Sequence, residues 1–123
     1  MAKRILFVDD EPAWRLIPGT ALRDAGYEVI TAKDVFETGL QTYGMKLNLI
    51  ILDVNLGSEN APGLMRLLKE SHPDVPIILY TGLEEHDTAV QTMMKEGAYG
   101  YLRKGSMKDL LEGVAKAVGA SPQ

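Results

Sequence analysis

Leu47-Asn48-Leu49-Ile50-Ile51-Leu52-Asp53 is an almost unbroken apolar run that stops at a carboxylate and gives way to the turn-like Val54-Asn55-Leu56-Gly57-Ser58. Such runs, bounded by turn signals, read as strands buried on both faces, as in parallel sheets flanked by helices. A charge at the C-terminal tip of such a strand falls at the rim, where open α/β sheets keep their ligand crevices. Asp53 is therefore the candidate working residue.

Strand and helix signals alternate on either side of that run. Ile5-Leu6-Phe7-Val8 is a first strand ending at Asp9-Asp10-Glu11, and Pro12 suits the first turn of the helix that follows. Trp14, Ile17, Ala21, Leu22 and Ala25 recur near helical spacing until Gly26, while Pro18-Gly19 predicts a kink. Glu28 to Ala32 is a short strand of mixed character, expected at an edge. Asp34 with Glu37 forms a capping-box pattern opening a helix to about Tyr43, with Gly44 as its stop. Beyond the Asp53 strand, Leu64, Leu67 and Leu68 mark a third helix, ended by Ser71-His72-Pro73. Pro76 to Tyr80 is a fourth strand, halting at Thr81-Gly82. Val90, Met93 and Met94 stripe a fourth helix that Gly97 terminates, and Tyr99 to Leu102 is a fifth strand running into Arg103-Lys104-Gly105. Ser106 with Asp109 caps a last helix, striped by Leu110, Leu111, Val114, Ala115 and Val118. Five strand–helix alternations predict one parallel sheet covered on both faces.

The 123 residues, 46% of them hydrophobic, suffice for one core. Residues 1–120 read as a single domain and 121–123 as a tail or the start of a linker. The absence of cysteine argues against a secreted, disulfide-held fold. Only four apolar residues follow Met1-Ala2-Lys3-Arg4, too few for a signal peptide, and nothing approaches the roughly 20 residues of a membrane span. The expected location is cytoplasmic, away from membranes. A net charge of −4 without a Lys/Arg cluster makes direct nucleic-acid binding a poor candidate.

The unusual polar residues all fall at the same end of their strands: Asp9 and Asp10 after the first, Asp53 after the third, Thr81 after the fourth, Lys104 after the fifth. In a parallel sheet these tips lie along one edge. Three carboxylates in one crevice repel each other, and a hard dication such as Mg2+ relieves this while keeping waters for a phosphate oxygen to replace. Lys104 is then the cation able to neutralise a phosphoryl group, and Thr81 a hydroxyl able to hydrogen-bond one.

The Asp9-Asp10 pair, Asp53 after its apolar strand, Thr81-Gly82 and Gly97-Ala98-Tyr99-Gly100-Tyr101-Leu102-Arg103-Lys104 together resemble the receiver domain of two-component response regulators, over essentially the whole chain. The resemblance implies a flavodoxin-like, doubly wound five-stranded sheet of order 2-1-3-4-5. It implies Asp53 as phosphoacceptor, and a Mg2+ site of Asp10, Asp53 and the Asn55 backbone carbonyl, with Asp9 joining the acidic pocket through a water. Thr81 and Lys104 are expected on the phosphoryl oxygens, and Tyr101 at the position of the rotating switch aromatic. The implied donor is a sensor histidine kinase or phosphotransfer protein. The implied output is a switched surface of fourth helix, fifth strand and fifth helix, read by a partner or an appended output domain. Two departures stand out. Gly105 follows Lys104 where many receivers have proline, although the Gly-Tyr-Leu-x-Lys wording is similar to receivers that carry helix-turn-helix output domains. The loop 56–63 is about two residues longer than the usual turn and lacks its Met-Pro, which bears on metal-site geometry and dephosphorylation rate.

Taken singly, each residue has a plainer reading. Asp10 and Thr81 could cap helices, Asp53 could start a turn, and Lys104 could be a solvated lysine. Met93 and Met94 read as packing, His72 and His86 as surface residues, and Trp14 as an aromatic near the acidic pocket that could report metal by fluorescence. An aspartyl-phosphate phosphatase would place a second acid two residues after its nucleophile, where this chain has Asn55. A flavin site is disfavoured because Asp9-Asp10-Glu11 would repel the flavin phosphate. A receiver-like scaffold without phosphorylation is the remaining alternative.

Overall fold

The computed structural model describes residues 2–55 and 60–120. Five strands, β1 (Arg4–Val8), β2 (Glu28–Ala32), β3 (Leu49–Leu52), β4 (Ile77–Thr81) and β5 (Gly100–Arg103), alternate with five helices. These are α1 (Pro12–Asp24), α2 (Val35–Thr42), α3 (Ala61–Ser71), α4 (Thr88–Lys95) and α5 (Met107–Ala120). The strands form one parallel sheet in the order β2-β1-β3-β4-β5, as expected, with β2 at an edge. The order reverses between β1 and β3, which opens a crevice at their C-terminal ends.

Alternation of side chains along the strands divides the core in two. Leu6, Val8, Ile50, Leu52 and Leu79 face Leu64, Met65 and Leu68 of α3 and Val90 and Met93 of α4. Ile5, Phe7, Leu49, Ile51, Ile78 and Tyr80 face Leu22 of α1 and Leu110, Val114 and Ala117 of α5. Every residue of β3 is fully buried, which explains why its sequence carries no polar alternation.

Local signals fix the element ends. The Asp34 side chain accepts the Glu37 N–H at 2.8 Å, and the Glu37 carboxylate accepts the Lys33 N–H at 3.1 Å. The reciprocal bond thus lands one residue before the cap. At the end of α1, Gly26 (φ 101°) donates to Arg23 and Tyr27 donates to Leu22, the paired bonds of a Schellman stop. Ser106 Oγ accepts the Asp109 N–H at 3.1 Å and opens α5. α1 continues as one helix through the buried Pro18 and Gly19, although Pro18 has no N–H to offer the Trp14 carbonyl. Of the long loop 56–63, residues 56–59 lie outside the described residues, as does the tail 121–123. Asn60, further along that loop, caps α3 by accepting the Gly63 N–H at 3.0 Å. Gly105 has φ 134°, where proline, held near about −65°, could not sit.

Candidate functional site

The ladder carries the strand tips to a common rim. Val8 pairs with Leu52, so Asp9 and Asp53 are neighbours one step further on. The Asp53 N–H donates to Val8 at 3.0 Å, and the Lys104 N–H donates to Thr81 at 2.8 Å. These bonds bring the ends of β1, β3, β4 and β5 together, as the sequence predicts.

Both buried aspartates adopt the same local geometry. Asp9 Oδ1 accepts the Glu11 N–H at 3.0 Å, and Asp53 Oδ1 accepts the Asn55 N–H at 3.1 Å. These are Asx-type turns, in which a short carboxylate satisfies backbone two residues on. One oxygen of each acid is thereby tied down and the other is left to face the crevice. Asp9 and Asp53 are 0% and 3% exposed, whereas Asp10 is exposed. Asp9, Asp10 and Asp53 each present one oxygen, all within 4.8 Å of one another.

Lys104 answers this charge. Its Nζ lies 2.7 Å from Asp9 Oδ2 and 3.2 Å from Asp53 Oδ2, with the lysine side chain 8% exposed. The contact to Asp9 is a close approach of opposite charges without full hydrogen-bond alignment, so Asp9 Oδ2 retains capacity for another partner. Burial, then the Asp9 charge, pushes the Asp53 carboxyl above the ordinary aspartate value, against the Asn55 N–H and Lys104. Burial pulls the Lys104 ammonium down, but its close contact with Asp9 and the charges of Asp53 and Asp9 outweigh this and hold it above the ordinary lysine value.

Beside these groups lies a cavity of about 440 Å³ lined by Trp14, Asp53, Asn55, Thr81, Leu83 and Lys104 among others. Thr81 is buried, and its Oγ1 accepts the Leu83 N–H at 3.3 Å. The Tyr101 hydroxyl donates to the Leu83 carbonyl at 2.5 Å, with the half-buried ring packed against the α3–α4 side of the core. The backbone of Leu83 therefore touches both predicted switch residues.

The sequence reading did not anticipate three neighbours. Arg15 donates to the Asp9 carbonyl at 2.7 Å, Leu83 links Thr81 to Tyr101, and Tyr80 stacks edge-on with Trp14 at 6.0 Å. Leu83 acts through its own backbone N–H and C=O, and Arg15 through a guanidinium aimed at a backbone carbonyl, so neither contact follows from spacing in the sequence. Tyr80 did leave a signal, as a hydroxyl inside an otherwise apolar strand. The histidines stand apart: His86 is exposed beside Glu84, and His72 is partly buried rather than fully at the surface.

The donor set is all oxygen, and its net negative charge is offset by a single ammonium. It suits a hard dication and could bind a metal. No helix among the described residues is long and apolar enough to cross a membrane.

Comparison with known proteins gives a concordant result. Residues 5–115 match the family model described as the response regulator receiver domain. The nitrogen assimilation regulatory protein NtrX of Azorhizobium caulinodans is 35% identical over 113 residues, covering 90% of this chain and 25% of that protein. The chain thus spans about a quarter of the length of that relative. Among solved structures, a CheY-like response regulator receiver domain protein from Methanospirillum hungatei superposes with a TM-score of 0.87 at 26% identity, covering 97% of this chain and 95% of that one. NtrX from Brucella abortus gives a TM-score of 0.89 at 26% identity, covering 97% of this chain and 27% of that one.

Proposed function

Because the chain belongs to the response regulator receiver domain family of two-component signalling, we propose that it accepts a phosphoryl group on Asp53 from a sensor histidine kinase or phosphotransfer protein. The observation that carries this reading is a nearly buried Asp53 carboxylate whose free oxygen meets Lys104 at 3.2 Å beside an open cavity. An Asp53 oxygen attacks phosphorus in line and forms an O–P bond. The P–N bond to the donor imidazole breaks, its electron pair returns to the ring nitrogen, and the product is an acyl phosphate. Lys104 shifts its ammonium onto the equatorial oxygens, where charge develops.

Asp10, Asp53 and the Asn55 carbonyl would hold Mg2+, with Asp9 in the same pocket through a water. When bound, the ion supplies charge neutralisation for the phosphoryl oxygens. The Thr81 hydroxyl turns from the Leu83 N–H toward the new dianion. Because Tyr101 is bonded to the carbonyl of that same Leu83, this movement changes what the loop before α4 offers the tyrosine. Two packings of the α4–β5–α5 surface then serve as the switch.

On this reading the receiver unit spans residues 1–120, with 121–123 as a tail or the start of a linker. It is a cytoplasmic phosphoacceptor that assists its own phosphorylation and hydrolysis rather than an enzyme turning over an external substrate. Its output passes to a partner protein or an appended domain. Incubation with Mg2+ and phosphoramidate should add one phosphoryl group by intact mass, and Asp53→Asn should add none. Unchanged mass in the parent would instead favour a scaffold, and sustained phosphate release from phosphomonoesters a phosphatase.

A further inference from the structure

Trp14 lies in the first turns of α1 and turns its ring toward the rim, where the Lys104 Nζ stands 4.8 Å from the ring centroid. Tyr80, one residue before Thr81, meets the indole edge-on at 6.0 Å, and Phe7 meets Tyr80 edge-on at 5.9 Å. Phe7 and Tyr80 are each 1% exposed, so the indole rests against a fixed aromatic wall while lining the cavity beside Asp53.

Among the described residues, the Lys104 ammonium also meets Asp9 and Asp53. Both would be engaged elsewhere by the proposed chemistry, since an Asp53 oxygen enters the acyl phosphate and Asp9 belongs to the acidic cluster that would hold the metal. The indole is not consumed. A lysine carries large rotamer freedom, and the following Gly105 gives its backbone no stiffening. An aromatic face attracts an ammonium without using a charge or a hydrogen-bonding atom that the reaction needs.

We propose that Trp14, braced by Tyr80, is a positioning residue that keeps the Lys104 ammonium aimed into the cavity once Asp9 and Asp53 have released it. The role rests on the phosphoacceptor reading of Asp53. It also confers preference among substitutions: phenylalanine retains part of the ring face, and leucine retains none.

The test follows phosphoryl uptake from phosphoramidate with Mg2+ by intact mass. Trp14→Leu should slow uptake about tenfold, in line with losing a desolvated cation–π contact. Trp14→Phe should recover most of the rate, and Trp14→Leu should cost nothing further in a Lys104→Ala background. A normal rate in Trp14→Leu, or an equal loss with Lys104 already absent, would overturn the role. Should Trp14→Leu fail to fold by circular dichroism, Trp14→Phe decides. It should slow uptake measurably when Lys104 is present and not in Lys104→Ala, and any other pattern overturns the role. Trp14 is the only tryptophan, so Lys104→Met should shift the emission of the folded protein before any phosphodonor is added, and unchanged emission would deny the contact itself. A parent that takes up no phosphoryl group would sink the phosphoacceptor reading, and this role with it. A parent that takes up the phosphoryl group normally, with Trp14→Leu equally fast or equally impaired without Lys104, would sink the role alone.

Discussion

Lys104 and Asp9 pair at 2.7 Å across the rim of the sheet, from the end of β5 to the end of β1. The ammonium is closer to Asp9 than to Asp53, at 3.2 Å. It therefore neutralises the crevice as a whole rather than Asp53 alone. Removing the ammonium leaves two buried carboxylates uncompensated, which costs more than the pair itself contributes.

Lys104→Ala should accordingly destabilise the protein by about 3 kcal/mol without metal. Saturating Mg2+ should restore a good part of the loss, because it supplies positive charge to the same carboxylates and binds only the folded form. Urea denaturation with and without Mg2+ measures both. Unchanged stability would remove Lys104 as the neutralising group.

Asp53→Asn should stabilise the protein at pH 7 by about 1 kcal/mol, the scale on which neutralising a strained buried charge acts. Burial, then the charge of Asp9, raises the Asp53 carboxyl above its ordinary 3.8. The folded state therefore binds this proton more tightly than the unfolded chain does. The associated stability is fully present below about pH 3.8 and is lost as pH rises through the folded value. The advantage of the asparagine variant should shrink as the pH is lowered toward 4. Melting temperatures of the two proteins at both pH values decide this, and a constant difference would contradict it.

Tyr80 should govern an alkaline transition. Burial pushes its phenol up to about 12 from an ordinary 10.0, and its hydroxyl, near the Gly105 N–H, makes no hydrogen bond of normal geometry. The proton is held more tightly in the folded state, so the stability it contributes is intact below pH 10.0 and is lost as pH rises toward 12. The loss should reach about 3 kcal/mol at full extent. Tyr80→Phe should lack that component and be neutral or up to about 1 kcal/mol more stable at pH 7, because it removes a buried unpartnered hydroxyl. Parallel denaturation curves between pH 9 and pH 12 for the two proteins would contradict this.

Tyr101→Phe should cost about 1 kcal/mol or less by freeing the Leu83 carbonyl. It should also raise amide exchange across residues 82–87. Unchanged exchange there would mean that the tyrosine hydroxyl does not restrain the loop before α4.

Much of this arrangement was legible in the sequence. The apolar run into Asp53 identifies a strand buried on both faces, and the strand–helix alternation places Asp9, Asp10, Asp53, Thr81 and Lys104 on one edge. What escaped the sequence depends on orientation or on backbone. β5 begins at Gly100 rather than Tyr99: the Tyr99 N–H still reaches Ile77, but the ladder partners start with Gly100 opposite Ile78. The rotation of α1 that sets Trp14 over Lys104 and Arg15 on the Asp9 carbonyl follows from packing rather than from spacing. The link from Thr81 to Tyr101 runs through the N–H and C=O of Leu83, groups that every residue type except proline carries.

The most direct measurement is chemical mapping of the phosphorylated residue. After treatment with phosphoramidate and Mg2+, borohydride reduces an acyl phosphate to the alcohol, so an aspartyl phosphate becomes homoserine. Tandem mass spectrometry should find homoserine at position 53 and unmodified aspartate at positions 9 and 10. Homoserine at either of those positions, or at none of the three in a protein treated to completion, would contradict the assignment of Asp53 as acceptor.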